Sequence, residues 1–172
     1  LGGIKGTGEQ AVTAIVGARA AGGAYHDLFD FCRRVDKRHV NRRAVEALIR
    51  AGAFDAVEPR RSMLFASVGI ALSEAEKAER SAAQVSLFGD SHEETGHALV
   101  AAREWTETER LAHEKAALGF YLSGHLYTAF AQELSSLIRQ PLSALQPNRE
   151  PVLIAGIVMA LRHRELPYWG VQ

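Results

Sequence analysis

The first third of the chain predicts short helices joined by glycine turns. Within residues 9–20, Val12, Ile15 and Val16 recur at the spacing of one helix face. Glycines follow at positions 22 and 23, where a helix can end without steric cost. The pattern therefore predicts a helix that begins near Glu9 and stops at the glycine pair.

Two further helices are predicted from residues that favour helix N-termini. Asp27 can cap a short helix that extends through Arg34, and Asn41 can cap a third helix that ends at Gly52. Each segment carries an apolar stripe that would face a core. The stripes are Leu28, Phe29, Phe31 and Cys32 in the first segment, and Val45, Leu48 and Ile49 in the second.

The middle of the chain changes from helix to linker. Residues 60–83 predict one long helix that ends in a run rich in alanine and charge. Residues 86–102 then lose apolar periodicity and are rich in glycine, serine and acidic residues. That composition is too polar to pack a core and predicts a linker.

The last third predicts two more helices and one strand. Either Thr106 or Thr108 can cap a helix that continues to Gly124, and another helix covers residues 127–138. Residues 152–158 form an apolar run with a glycine that marks a bend or bulge, and they predict a strand. A lone strand has unpaired edges and the first residue is not methionine, so we expect a piece of a longer protein.

Charge and composition add local information. The 20 basic and 20 acidic residues cancel, so the net charge indicates no nucleic-acid partner. Residues 33–43 nevertheless hold six basic side chains against one acid, Asp36. The lone cysteine, Cys32, rules out an internal disulfide or a multi-thiolate zinc site. With no signal peptide and no apolar run of about 18 residues, we expect a cytoplasmic, nucleoid-associated protein without membrane contact.

Residues 1–11 contain a glycine-rich turn before the first helix. It is not a P-loop, since no Lys-Ser/Thr pair follows, and not a Rossmann fingerprint, since a third glycine and a preceding strand are missing. It fits a hairpin between helices, in which the N–H groups of Gly6, Thr7 and Gly8 would hold a phosphate without reading a base, and Lys5 would add a charge. The pattern resembles the helix-hairpin-helix motif of DNA-binding proteins; the alternative is an ordinary turn.

A second candidate phosphate-binding element is the basic segment that leads into the third helix. Arg42 and Arg43 fall in the first helical turn, where cations oppose the helix dipole. An anionic nucleic-acid backbone would favour them there, together with the nearby Arg38. The alternative is a solvated surface without a partner.

The third candidate is a peptide at the entrance to the linker, Gln84, Val85, Ser86, Leu87 and Phe88. Two large apolar side chains in a polar linker indicate docking into a pocket of another protein. The spacing resembles the short peptides that bacterial proteins insert into the sliding DNA clamp, in which Gln84 would hydrogen-bond and Leu87 and Phe88 would fill the pocket. The alternative is that the two apolar side chains fold back on their own helix.

Together these segments resemble the catalytic alpha subunit of bacterial DNA polymerase III. The matching passages are residues 1–9, 27–36, 40–43, 46–55, 84–88 and 114–125. The resemblance implies a mainly α chain with a tandem helix-hairpin-helix unit, an internal clamp-binding segment and the start of an OB-fold, a small β-barrel. The implied divisions are 1–58 for the helix-hairpin-helix unit, 59–83 for the long helix, 84–103 for the clamp peptide and linker, 104–145 for a helical connector and 146–172 for the truncated OB-fold.

Two positions depart from the family pattern. The family continues with proline after the Ser-Gly-His that ends at His125, whereas Leu126 stands here. The residues after Val158 do not continue the strand pattern of an OB-fold. The first departure affects a turn, and the second leaves the end of the barrel unexplained.

The sequence predicts no catalysis by this segment alone. Polymerisation needs carboxylates that hold two metal ions, and no strand-borne aspartate pair is present. The resemblance implies Mg for the parent polymerase but no cofactor here. The expected partners are double-stranded DNA, the beta sliding clamp and other polymerase III holoenzyme subunits, in processive replication. The alternative is a helical protein–protein adaptor without DNA contact, and an independent nuclease is a distant third.

Overall fold

The computed structural model describes residues 1–85, 98–138, 140, 142–147, 149, 151–158 and 161, with the side chains of 83–85 and 129 left out. The chain forms two compact units, Leu1–Ser123 and Gly124–Gln172. The described residues are mainly helical, as the sequence predicts. The described part of the larger unit holds five helices: α1 (Glu9–Gly22), α2 (Leu28–Arg34), α3 (Arg42–Arg50), α4 (Arg61–Val85) and α5 (Glu107–Leu118).

The predicted N-caps of α2 and α3 are confirmed. The Asp27 carboxylate accepts the N–H of Asp30 at 2.6 Å, and the Asn41 side-chain oxygen accepts the N–H of Ala44 at 3.0 Å. Each cap satisfies a first-turn donor that has no partner within its helix. At the other end of α3, Gly52 follows with φ +78, a left-handed conformation that favours glycine.

One arginine fastens the C-terminus of α1 to α2. The Arg34 guanidinium donates to the carbonyls of Ala18 at 3.0 Å and Gly23 at 2.7 Å, and it forms an ion pair with Asp30 at 2.9 Å. It also lies 4.5 Å from the ring centre of Tyr25. A cation that meets the last carbonyls of a helix is stabilised by the helix dipole. Arg34 is therefore part of the scaffold.

The core forms where α2 and α3 pack against α4. Its fully buried side chains come from all three helices and the turns between them: Leu28, Cys32, Val40, Val45, Leu48, Ile49, Leu64 and Val68. Burial raises the pKa of the Cys32 thiol to about 12, so this cysteine is an inert packing residue, as the sequence predicts. The apolar stripes predicted for α2 and α3 are confirmed as core.

Helix α5 begins with a complete capping box and packs on α3. Thr106 accepts the N–H of Glu109 at 3.2 Å, and the Glu109 carboxylate accepts the N–H of Thr106 at 2.8 Å. Thr106 is thus the N-cap, and Thr108 lies within the helix. The predicted end at Gly124 is wrong: Gly119 takes φ +89 and ends the helix at Leu118.

A buried ion-pair network joins α5 to α4 and to the loop after α3. The guanidinium of Arg61 binds Asp55 through two hydrogen bonds of 2.7 and 2.6 Å, and it binds Glu114 at 2.9 Å. The other oxygen of Glu114 accepts the N–H groups of Leu122 at 2.7 Å and Ser123 at 2.9 Å. Both Glu114 oxygens are therefore satisfied in a side chain with no exposed surface.

The smaller unit contains only short helical turns among its described residues. They are a 3-10 helix (Leu126–Phe130), α6 (Ala131–Ser135) and a second 3-10 turn (Leu142–Ala144). The single helix predicted for residues 127–138 is wrong. No described side chain in α6 is buried, so no packing favours a longer helix.

Residues 151–158 are assigned to neither helix nor strand. A strand is recognised by its hydrogen-bonded neighbour, and no strand occurs among the described residues. The predicted first strand of an OB-fold therefore stays a prediction. Across the described helices, none is long and apolar enough to cross a membrane.

We predict that Glu114→Gln destabilises the larger unit by about 3 kcal/mol, because breaking a buried ion pair leaves the Arg61 charge undercompensated. Burial opposes ionisation of Glu114, but the N–H groups of Ser123 and Leu122 and the Arg61 guanidinium outweigh it and hold its pKa below the usual range. The pair therefore stabilises fully above pH about 4.3 and loses its contribution as the pH falls through the lowered pKa.

Urea unfolding of the wild type and of Glu114→Gln between pH 7 and pH 3 measures how much the ion pair stabilises the unit at each pH. The difference between wild type and variant should shrink as the pH falls. Glu107→Gln, an exposed change on the same helix, is the control and should cost little. A Glu114→Gln loss no larger than that of Glu107→Gln would contradict the prediction.

Candidate nucleic-acid interface

The glycine-rich turn folds as a tight hairpin before α1. The Ile4 side chain is buried, and its carbonyl accepts both the N–H of Thr7 at 3.1 Å and the Thr7 hydroxyl at 2.9 Å. Gly6 takes φ +92, which favours glycine. The N–H of Lys5 donates to the carbonyl of Ala117 at 2.7 Å, which fixes the hairpin to the end of α5.

This turn leaves several backbone donors free at the N-terminus of α1. No acceptor among the described residues takes the N–H groups of Gly6, Gly8, Glu9 or Gln10. Because Gly8 is the N-cap and has no side chain, it neither satisfies nor covers them. The prediction that the Thr7 N–H holds a phosphate does not fit this turn, since the N–H and the hydroxyl of Thr7 both donate to the Ile4 carbonyl. The free amides flank Thr7 on both sides.

Two exposed cations belong to this turn and to the helix face that it contacts. The Lys5 side chain is exposed and lies against the C-terminus of α5, where a Cβ built on Gly119 would be 3.5 Å from its Nζ. Gly6 packs on α3, where its built Cβ would be 3.8 Å from the Cβ of Ala47. Arg43 precedes Ala47 by one helical turn, so both lie on the α3 face that Gly6 contacts. Arg43 is exposed and forms no ion pair with any described residue.

The turn between α2 and α3 forms the second hairpin. The Asp36 carbonyl accepts the N–H groups of His39 at 3.0 Å and Val40 at 2.9 Å. The Asp36 carboxylate holds the exposed Arg38 guanidinium through bonds of 3.0 and 2.7 Å, and these bonds lower the pKa of the carboxyl to about 2. Arg38 is therefore placed at the surface, but with a counterion from its own turn.

Most of the basic segment is paired with acids or carbonyls. Arg42 binds Glu46 one turn along α3 at 2.8 Å, which accounts for a cation in the first turn of that helix. Lys37 pairs with Glu79 of α4 at 3.0 Å. With Arg34 at the end of α1 and Arg38 on Asp36, only Arg33 and Arg43 of the six cations have no ion pair among the described residues. The local excess of charge seen in the sequence is largely neutralised.

The predicted clamp peptide lies mostly outside the described residues. Gln84 and Val85 are the last two residues of α4, and their side chains are not described. Ser86, Leu87 and Phe88 fall outside the described part of the chain. Within that part, no group of three or more histidine, cysteine or acidic side chains is arranged to hold a metal ion.

Sequence reasoning missed the contacts that hold the hairpins together. The ion pairs of Lys37 with Glu79 and of Arg61 with Glu114 join residues that are 42 and 53 positions apart in the chain. A single sequence gives no spacing signal for such pairs. Among the described ion pairs of the hairpin helices, only Arg34–Asp30 and Arg42–Glu46, each four residues apart on one helix, could have been found from periodicity.

We predict that Gly6→Ala destabilises the hairpin by about 1–3 kcal/mol, more than Gly8→Ala, which loses only the N-cap preference of glycine over alanine. Space is available at both positions, since the nearest atom to a Cβ on Gly6 is 3.8 Å away and none lies within 4 Å at Gly8. The difference is conformational: φ is +92 at Gly6 and −74 at Gly8. Thermal unfolding of the two variants measures it, and equal losses would contradict the strain assigned to Gly6.

Comparison with known proteins agrees with this geometry. Residues 1–64 match a helix-hairpin-helix motif family, which covers both hairpins and the start of α4. The chain is 48% identical to the DNA polymerase III subunit alpha of Neisseria meningitidis serogroup A over 94% of its own length. It is 39% identical to that subunit of Vibrio cholerae over 94%, and 32% identical to that of Caulobacter vibrioides over 95%.

The matched region is a small part of these relatives. The chain spans 14% of the Neisseria protein and 15% of the Vibrio and Caulobacter proteins. Identity at this level extends well beyond the motif into α4 and α5. The sequence is thus shown to be similar, over nearly all of its length, to one segment of the alpha subunit of bacterial DNA polymerase III.

Proposed function

We propose that this chain binds duplex DNA through its phosphates and tethers a replicative polymerase to a sliding clamp. The observation that carries the DNA half is the set of free N–H groups at Gly6, Gly8, Glu9 and Gln10 beside an exposed lysine. Backbone amides at a helix N-terminus hold a phosphate oxygen through hydrogen bonds and the helix dipole. They contact no base edge, so the binding is independent of sequence.

The cations rank by the partners they must give up. Lys5 and Arg43 have no ion pair with a described residue, so they can meet a phosphate without giving up a carboxylate. Arg38 and Arg42 must exchange a carboxylate for a phosphate. Exposed pairs of this kind contribute little, so the exchange is permitted but its net gain is small. Lys5 and Arg43 therefore contribute most to DNA affinity.

The clamp half of the proposal rests on the peptide Gln84 to Phe88 and on its place in the chain. It begins in the last two residues of α4, a helix that packs on α2 and α3. A peptide of this kind binds with a dissociation constant of about 1 µM, roughly 8 kcal/mol. When DNA is held at the same time, the second contact becomes intramolecular and the overall affinity rises by about 10²- to 10⁴-fold.

We predict that Lys5→Ala and Arg43→Ala each weaken binding to duplex DNA and lower the slope of log affinity against log salt by about 1. The loss should be the same for unrelated duplex sequences, because only phosphates are contacted. Fluorescence anisotropy with labelled duplexes measures the affinity and its salt slope. The salt concentration is varied from about 50 to about 300 mM, a range over which screening of exposed charges increases.

Lys77→Ala is the matched control, since Lys77 is an exposed lysine on α4 outside the hairpins. It should leave the salt slope unchanged. Wild-type binding that is absent at low salt, or that does not respond to salt, would remove the DNA half of the proposal. A helical adaptor that binds only protein would then be the better description.

We predict that Leu87→Ala/Phe88→Ala weakens binding to the sliding clamp by about 100-fold, because two anchors of roughly 1–2 kcal/mol each are lost. Surface plasmon resonance on immobilised clamp measures the affinity. Phe130→Ala/Leu137→Ala removes an exposed phenylalanine and an exposed leucine elsewhere and is the control. Equal affinity of the peptide variant and wild type would exclude the tether.

A further inference from the structure

A cleft of about 150 Å³ lies at the N-terminus of α4, and none of the hairpin residues lines it. Its wall includes Ser62 from the first turn of α4, with Trp105 and Arg110 from the region around the start of α5. The cleft is large enough for a small ligand. Neither the glycine turns nor the clamp peptide explains it.

Two donor groups in the wall of this cleft are buried without a partner. The Ser62 side chain is only 5% exposed, and its Oγ has no hydrogen-bond partner among the described residues. The Nε atom of Arg110 is also buried and has no hydrogen-bond partner among the described residues. A buried polar group without a partner is costly, and folded proteins keep few of them. Because Nε can only donate and the hydroxyl can donate, an acceptor between them would satisfy both.

The helix supplies a third donor and a favourable field. α4 is 25 residues long, and Ser62 is its second residue. No acceptor among the described residues takes the Ser62 backbone N–H, which is one of the donors left open at a helix N-terminus. The positive end of the helix dipole favours an anion at this place. A tetrahedral anion can accept from all three donors with separate oxygens.

The charged side chains around the cleft favour an anion that keeps a proton. Arg61 is committed to Asp55 and Glu114, and Arg60 to Glu58. Arg110 forms no ion pair within the described part of the chain. Glu104 also lines the cleft, and its carboxylate can only accept hydrogen bonds. An anion that keeps one proton near neutral pH, as phosphate does, satisfies Glu104, whereas sulfate has no proton to donate.

We propose that this cleft binds a phosphate group, as inorganic phosphate or as a terminal phosphate monoester. Ser62 contributes its hydroxyl and its N–H, and Arg110 contributes its Nε and its charge. The site is separate from the hairpin surface proposed to hold the DNA backbone. It remains intact if the DNA proposal fails, because it shares no residue with it.

Trp105 provides a direct measurement of binding. Its half-buried ring lines the cleft and lies 4.1 Å from the His113 ring centre. An anion beside it should change its fluorescence. Because the chain has two tryptophans, the experiment uses the full chain with Trp169→Phe as the common background. Inorganic phosphate is titrated at constant ionic strength, with chloride as the balancing anion.

We predict a saturable fluorescence change and a phosphate-dependent rise in melting temperature. Ser62→Ala and Arg110→Gln should each weaken phosphate binding by about tenfold or more, since each removes a hydrogen bond to a charged ligand. Without phosphate, Ser62→Ala should be no less stable than the background, because it removes a buried hydroxyl without a partner. Sulfate should bind at least about tenfold more weakly than phosphate.

Two serines on the same helix are matched controls. Ser73→Ala changes an exposed residue, and Ser67→Ala removes a buried hydroxyl that donates to Met63 and accepts from Val100. Ser67→Ala should lower stability but keep the phosphate response, and Lys5→Ala should keep it too. An unchanged phosphate affinity in Ser62→Ala, or sulfate binding equal to that of phosphate, overturns the proposal.

Oligonucleotides identify the source of the phosphate. A strand with a 5′-phosphate is compared with the same strand ending in a 5′-hydroxyl, in the presence and absence of inorganic phosphate. Competition by the phosphorylated strand alone assigns the site to a strand terminus. No competition by either strand assigns it to free phosphate. Equal competition by both strands would contradict a site for terminal phosphate.

Discussion

The buried ion pair between Arg61 and Glu114 connects α4, α5 and the loop after α3 in the larger unit. Arg61 begins α4 and holds the loop after α3 through Asp55, while Glu114 holds the segment that follows α5. A buried pair is stable only when all its hydrogen-bonding groups are satisfied, and here both Glu114 oxygens are. Since Ala117 of the same helix accepts the Lys5 N–H, this network also sets where the first hairpin lies.

The phosphate binding proposed for this chain depends more on unpaired donors than on total charge. The basic residues between the second and third helices mostly have counterions of their own, as in Arg38 with Asp36 and Arg42 with Glu46. The free donors are instead backbone N–H groups at the start of α1, next to Gly6 and Gly8. The same reasoning applies to the cleft at Ser62. In both places a helix N-terminus lacks a cap that would satisfy its donors.

The chain is similar to one segment of the alpha subunits of DNA polymerase III. The chain corresponds to about one seventh of the length of the Neisseria relative. Because α4 packs on α2 and α3, the proposed clamp contact at Gln84 would be connected through one helix to the proposed DNA-binding hairpins. An additional phosphate site at the other end of α4 would place two functions on one helix.

Local sequence determined the helices and their ends wherever a single residue type dictates the geometry. Asp27 and Asn41 cap α2 and α3 as predicted, since short polar side chains satisfy first-turn donors. The end of α5 and the broken helix after Leu126 were missed, because glycine position and lack of burial outweighed apolar spacing. The motif residues around Gly6 could be found from sequence, but which donors are free could not. Only the tertiary structure pairs Lys37 with Glu79 and Arg61 with Glu114, because such contacts join residues distant in the chain.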